Sequence, residues 1–180
     1  MDKLKKIEAF EYLLFKLDEW HTVQNKNGRQ NDLSILKSLK LLFFISAVGT
    51  KKDSESTLLD EVFDNFVAMP YGHVEIDVYS SIKSNLLRNA SIDNSKTLIL
   101  ESFNVANVDI DVRIKIDTSI QNLKNINSGL INMNAFDLVE LSHSWYSWKY
   151  FFAKAKKNST LKEYIPSEII KAEEKIYFLN

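Results

Sequence analysis

Apolar residues recur along the first part of the chain at three- and four-residue steps: Leu4, Ile7, Phe10, Leu13, Leu14 and Leu17. That spacing predicts an amphipathic helix ending near Trp20, with lysines and glutamates on its other face. Thr22 to Asp32, rich in Asn, Gln, Lys and Gly, reads as a solvated connection. A second helix is predicted from about Leu33 to Val48, stopped by Gly49. Leu36, Leu39, Leu42 and Phe43 leave it little polar surface, which places it centrally with neighbours on several sides. After a charged loop over Lys51 to Ser56, Leu58 to Met69 is predicted as a short helix closed by Pro70-Tyr71-Gly72. A third long helix is predicted to follow, with Val74, Val78 or Tyr79, Ile82 and Leu86 along one face.

Between Thr97 and Asp117 the period changes. Val108, Ile110, Val112, Ile114 and Ile116 alternate with Asp109, Asp111, Arg113, Lys115 and Asp117. A two-residue period predicts a half-buried strand, with Leu98 to Phe103 as its antiparallel partner. Helical spacing returns with Ile120, Leu123, Ile126 and Leu130, breaks over Gly129 to Asn134, and resumes from Phe136 through Leu141 to Ala155. Pro166 suits the first turn of a last helix whose face is Ile169, Ile170, Ala172, Ile176 and Phe178. No repeat, low-complexity tract or linker divides the chain, so one domain over 1–180 is expected. The predicted fold is mainly α (α+β): helices around the central hydrophobic helix, with a small antiparallel β-hairpin inserted near residues 97–117.

Composition narrows the function. At 180 residues, 45% hydrophobic and 12% aromatic, the chain can bury a sizeable core. A net charge of -1 argues against a strong phosphate-attracting field, so a nucleic-acid partner is not expected. Without cysteine there is no thiol nucleophile, disulfide or thiolate metal site. The richest apolar run, Leu39 to Ile45, is short and contains Lys40, which makes it a core segment. The first residues lack the apolar centre of a secretion signal, and the expectation is a cytoplasmic protein without a membrane partner.

Catalytic patterns are scarce. The chain has no phosphate-cradling glycine loop, no Gly-x-Ser-x-Gly elbow and no His-Glu-x-x-His pair. His21, His73 and His143 stand far apart, and neither a metal nor a cofactor is expected. Asp109 and Asp111 on one strand face could hold a hard divalent cation, but they are read as the solvent side of an amphipathic strand, balanced by Arg113 and Lys115. Lys154, Lys156 and Lys157 follow Trp148, Tyr150, Phe151 and Phe152, a grouping that could stack bases beside phosphates. They are read as cations that favour a helix C-terminus. Trp145 and Trp148, three residues apart, are predicted to share one helical face, as core or as partner surface.

Leu36-Lys37-Ser38-Leu39-Lys40-Leu41-Leu42-Phe43-Phe44 resembles the Leu-x-Lys-Leu-Leu-Tyr-Phe opening of the Panacea domain, also called the SocA-like antitoxin domain and found in many phage-associated proteins. Further landmarks fall in the same order. The family's aromatic, Tyr-Gly-Pro-Val and Val-Tyr pair are matched by Phe66, Tyr71-Gly72-His73-Val74 and Val78-Tyr79. Its Leu-x-x-Thr-His and later Trp are matched by Leu141-Ser142-His143 and Trp148, and its closing helix by Pro166 to Phe178. His73 stands where the family has proline, and so does Ser147 just before Trp148.

The resemblance implies a helical domain that works by binding, carries no catalytic residue and neutralises a cognate toxin by direct contact. SocA-like members can also deliver a toxin to a protease. Phe66, Tyr71, Gly72, His73, Val74, Tyr79, His143, Trp145 and Trp148 are then signature positions that either frame a recognition groove or hold helices together. In the groove reading, His73 alters the turn, adds a polar group and tunes partner choice. Self-association is left open. Two alternatives stand beside it: a phage-associated regulatory or proteolytic-adaptor module with a non-toxin partner, and a metal-dependent phosphodiesterase-like enzyme using Asp109, Asp111 and a histidine.

Overall fold

In the computed structural model, which describes residues 2–26, 28 and 30–179, helix α1 (Lys3–Gln24) runs past Trp20 into the expected Thr22 to Asp32 connection. Asn27 and Arg29, within that connection, lie outside the described residues, as do Met1 and Asn180. Helix α2 (Ile35–Ala47) starts where the Ser34 hydroxyl accepts the Lys37 amide, and every residue from Lys37 to Ala47 is buried. It is the central helix that its apolar circumference predicts.

The mainly α fold carries two small antiparallel sheets. Strands β1 (Phe66–Met69) and β2 (Gly72–Glu75) form a hairpin in the register Met69↔Gly72 to Phe66↔Glu75. Strand β5 (Glu163–Tyr164) adds to the far side of β1, giving the order β2-β1-β5. Strands β3 (Ala90–Ile92) and β4 (Thr97–Ile99) make a separate hairpin. The intervening helices are α3 (Leu58–Glu61), α4 (Ile76–Lys83), α5 (Ile110–Asn127), α6 (Ala135–Ser144), α7 (Tyr146–Lys157) and α8 (Ser167–Ala172). Helices α5 and α6 and strand β2 pack on α2, so one apolar cluster extends from α1 to Tyr177.

Several elements differ from the sequence pattern, each for a local reason. The alternating segment from Val108 to Asp117 is the start of a helix. The Asp109 carboxylate caps α5 by accepting the amides of Asp111 and Val112, and burial then follows Val112, Ile116, Ile120 and Leu123. Ile110 and Ile114 are each 55% exposed; they supplied the apparent two-residue period without any buried strand face. Only Thr97–Ile99 of the expected hairpin is a strand, and its partner lies upstream at Ala90–Ile92. The helix expected over Leu58 to Met69 lasts four residues, begun by the reciprocal Thr57 and Asp60 capping box. Its last four residues become β1, because the tight turn at Pro70-Tyr71 returns the chain antiparallel as β2 on one side and β5 pairs on the other.

The third helix likewise starts later, at Ile76, where the Glu75 carboxylate accepts the Val78 amide. It ends at Lys83, short of Leu86, as Asn85 turns left-handed with φ 53°. Helix α8 ends at Ala172, so Ile176 and Phe178 lie beyond it. Trp145, with ψ 140°, breaks α6 from α7. The two indoles therefore do not share a helical face: Trp145 donates to the Ile176 carbonyl at 2.9 Å and Trp148 to the Met69 carbonyl at 2.8 Å. Among the described residues, no helix is long and apolar enough to cross a membrane.

Candidate functional site

The β1–β2 turn projects one ring, Tyr71, which is 58% exposed, from a base that is closely held. Proline at the first loop position presets its backbone angle, and Gly72 supplies a φ of +93° at the second strand. No other residue type fits at 72. A Cβ there would stand 2.5 Å from Ser142 Oγ, 2.9 Å from Ser142 Cβ and 3.0 Å from Lys40 Nζ. Outside the turn, the Trp148 indole binds the Met69 carbonyl, and His143 Nε2 lies 3.2 Å from the Pro70 carbonyl. His143 stacks on Trp148 at 3.7 Å between centroids, and Trp148 stacks on Phe152 at 5.1 Å. Residues of α6 and α7 thus hold both carbonyls that precede Tyr71.

His73 lies on the inner side of the same hairpin and is fully buried. Its backbone amide donates to Ser142 Oγ at 3.1 Å; its Nδ1 is 2.8 Å from the same oxygen and its Nε2 2.7 Å from Ser147 Oγ. Ser142 accepts from the amide, and a neutral ring carries one N–H, so one ring nitrogen donates to its serine while the other accepts from its serine. The imidazole is neutral. Burial, then the neighbouring Lys40 and His143, hold its pKa well below the ordinary histidine value. The ring stacks on Phe43 at 3.7 Å, and Trp145 meets Phe43 edge-on at 4.8 Å. Phe66 meets Phe43 edge-on from β1 at 5.6 Å. His73 and Ser147 are therefore in contact with each other.

A Ser–His contact can activate a nucleophile, but Ser142, Ser147 and His73 are all sealed from solvent and the ring is already saturated. The chemistry this cluster performs is mechanical: it fixes the base of the turn. Beside it, the Lys40 ammonium is also buried, and it donates to the His73 carbonyl. Burial lowers its pKa from 10.5 to about 7.

The folded pKa of Lys40 lies below the unfolded value, so between about pH 7 and 10 the unfolded chain binds more protons and stability rises with pH. The depressed His73 acts the same way at lower pH, where acid must charge a buried ring. Urea unfolding of Lys40→Met is expected to lose this alkaline rise, whose steepest slope for one proton is about 1.4 kcal/mol per pH unit. A variant with an unchanged slope would remove Lys40 as its source.

Next to Tyr71, an apolar hollow of about 230 Å³ opens between Leu36 and Leu39 of α2, Met69 of the turn and Tyr79 of α4, with Val74 also in its lining. Tyr79 is half-buried, and Val74 and Phe66 are buried. The designated residues thus divide into three roles. Tyr71 and Tyr79 reach solvent beside the hollow; Gly72, His143 and Trp148 hold the turn; and Phe66, His73, Val74 and Trp145 pack beneath or behind it.

Among the described residues, the carboxylates elsewhere do not build a cation site with histidine. Asp109 and Asp111 line a hollow of about 370 Å³ with Lys5, Glu8, Glu61 and Lys115, and no histidine lines it. Among the described residues, one acidic group has metal-like spacing: Asp64, Glu75 and Asp77, with oxygens within 4.8 Å of one another. The Lys6 ammonium already occupies its centre, at 2.6 Å from Asp64, 2.8 Å from Glu75 and 2.7 Å from Asp77. Sequence reasoning missed Lys6 and Lys40 because a lysine within a helical pattern reads as outward-facing. The nearest signal was Lys40 inside an otherwise apolar run.

The family model described as antitoxin SocA-like, Panacea domain, matches residues 39–149. The matched span takes in Lys40, the β1–β2 turn, His143 and Trp148, so it contains the whole clamp around Tyr71. No curated protein and no solved structure matches the chain.

Proposed function

The chain belongs to the antitoxin SocA-like, Panacea domain family, and from that membership we propose that it neutralises a cognate toxin by direct protein–protein contact, without catalysis or a cofactor. The observation that carries this reading is the exposed Tyr71 ring on a turn clamped from both sides, beside an apolar hollow. Tyrosine is enriched among residues that dominate binding energy, and a fixed turn loses little freedom on association. The toxin would seat an apolar side chain between Leu36, Leu39 and Tyr79, with Tyr71 closing over it. His143 and Trp148 would act indirectly by holding the turn, and His73 by shaping it from below. We place the protein in the cytoplasm, treat 1–180 as one working unit, and take its partner to be encoded nearby.

Co-expression with the neighbouring gene product tests this, scored by growth and by affinity of the purified pair. Tyr71→Ala is expected to leave the melting temperature unchanged while weakening binding by about 2 kcal/mol, roughly thirtyfold, and abolishing rescue. Intact rescue by a folded Tyr71→Ala variant would move the contact surface elsewhere. A neighbour that is harmless alone would favour an adaptor that delivers some other protein to a protease.

A further inference from the structure

We infer that the outer face of α7 is a binding site for single-stranded nucleic acid, separate from the Tyr71 surface. Tyr146 and Tyr150, one helical turn apart, are 58% and 53% exposed, and their rings stack 5.7 Å apart with planes inclined by 25°. They form a preassembled aromatic pair, more than half exposed, on which a base can stack, with Phe151 meeting Tyr150 edge-on at 5.1 Å. The surrounding sequence is rich in lysine. From 145 to 164 the chain carries Lys149, Lys154, Lys156, Lys157 and Lys162 against the single acid Glu163, a net charge of +4, so with -1 overall the remainder carries -5. The neutral total conceals this separation.

Glu163 does not cancel the patch, because Lys154 pairs with it at 2.6 Å. Lys156 lies over the Phe152 ring at 4.8 Å. Lys149, Lys157 and Lys162 make no ion pair among the described residues. Stabilising the helix C-terminus accounts for Lys154, Lys156 and Lys157, but it leaves both exposed rings and Lys149, a turn from the helix start, without a role.

The chemistry of the patch favours a nucleic acid over an acidic protein. Its cations are all lysine, mobile point charges that can follow a phosphate backbone. Flat, stacked rings match a base, and only an unpaired strand has bases free to extend the stack. The helix from Tyr146 to Lys157 spans roughly 16 Å, room for four or five stacked nucleotides.

Fluorescence anisotropy with a labelled fifteen-nucleotide oligo-dT, a duplex of equal length and poly-glutamate as competitor tests the site on the intact protein. Oligo-dT is expected to bind and the duplex to bind at least tenfold more weakly. Tyr146→Ala with Tyr150→Ala should weaken oligo-dT binding tenfold or more, while circular dichroism stays unchanged. If three lysines contact phosphate, raising salt from 50 to 200 mM costs roughly twentyfold in affinity, and Lys149→Gln, Lys157→Gln and Lys162→Gln together should flatten that dependence. Absence of binding at about 100 µM protein, the weak end of non-specific association, would overturn the site. So would retention of affinity without the tyrosines, or equal displacement by poly-glutamate, which would make the face one for acidic proteins. None of these readouts depends on a toxin.

Discussion

Gly72→Ala is expected to destabilise the protein by about 3 kcal/mol or more, lowering its melting temperature by roughly 6–12 °C for a chain of this size. Two costs combine at this position. A φ of +93° is strained for any L-residue with a side chain. The added methyl would also stand 2.5 Å from Ser142 Oγ and 2.9 Å from its Cβ, and Ser142 is fully buried in α6. Relief requires the hairpin to move, and movement breaks the hydrogen bonds from the His73 N–H to Ser142 and from the Trp148 indole to the Met69 carbonyl.

Gly49→Ala is the control. It shares the positive φ, at +72°, but its new methyl would meet only Asn122 Nδ2, at an ordinary 3.5 Å. That variant should lose about 1 kcal/mol. Thermal and urea unfolding of both variants separates the costs: equal losses would mean that the close approach to α6 contributes nothing.

Lys6→Met is expected to cost about 3–5 kcal/mol at pH 7, because it leaves the carboxylates of Asp64, Glu75 and Asp77 facing one another without a counter-charge. Glu75 bears most of this, since it is fully buried and also caps α4. Burial raises the Glu75 pKa even now, against the opposing pull of Lys6 and the Val78 amide. For Lys6, burial works against the charge, yet its bonds to Asp64, Asp77 and Glu75 outweigh it and raise the pKa.

Without Lys6, the folded pKa of Glu75 climbs further above its unfolded value. The native state of the variant then binds more protons, so its stability is retained in acid and lost as pH rises through that folded pKa. Urea unfolding from pH 5 to 8 should show the deficit against wild type widening with pH. In a Glu75→Gln background, the same Lys6→Met change should cost distinctly less. A deficit that ignores both pH and Glu75 would identify lost packing of the lysine stem instead.

Some of this architecture is legible residue by residue. The three- and four-residue spacing of α1 marks Ile7, Phe10, Leu13, Leu14 and Leu17 as buried, although Leu4 is exposed and the expected outward Lys6 and Glu11 are buried too. The apolar circumference of α2 marks it as the centre. The order of Lys40, Tyr71-Gly72, His143 and Trp148 leads to the family. Legibility fails where two structures satisfy one pattern. Alternation from Val108 to Ile116 suits a strand and equally a helix with exposed isoleucines, and the Asp109 cap decides between them. Apolar Phe66 to Met69 can be a helix end or a strand, and the returning β2 decides. A lysine in a helix faces water unless acceptors from elsewhere in the fold meet it, as the 58 to 71 residues separating Lys6 from its carboxylates illustrate.

By itself, the sequence determined the helical class, the central helix and the turn at Pro70-Tyr71-Gly72, because these follow from the period of apolar residues and from backbone angles that proline and glycine impose locally. Only the tertiary structure decided that Tyr71 projects while His73 and Trp145 are buried, and that Lys6 fills a carboxylate cluster. Only the tertiary structure brought His73 onto Ser147 and Tyr146 and Tyr150 into an exposed stack. Burial and pairing depend on what distant segments place against a side chain, and no local period encodes that.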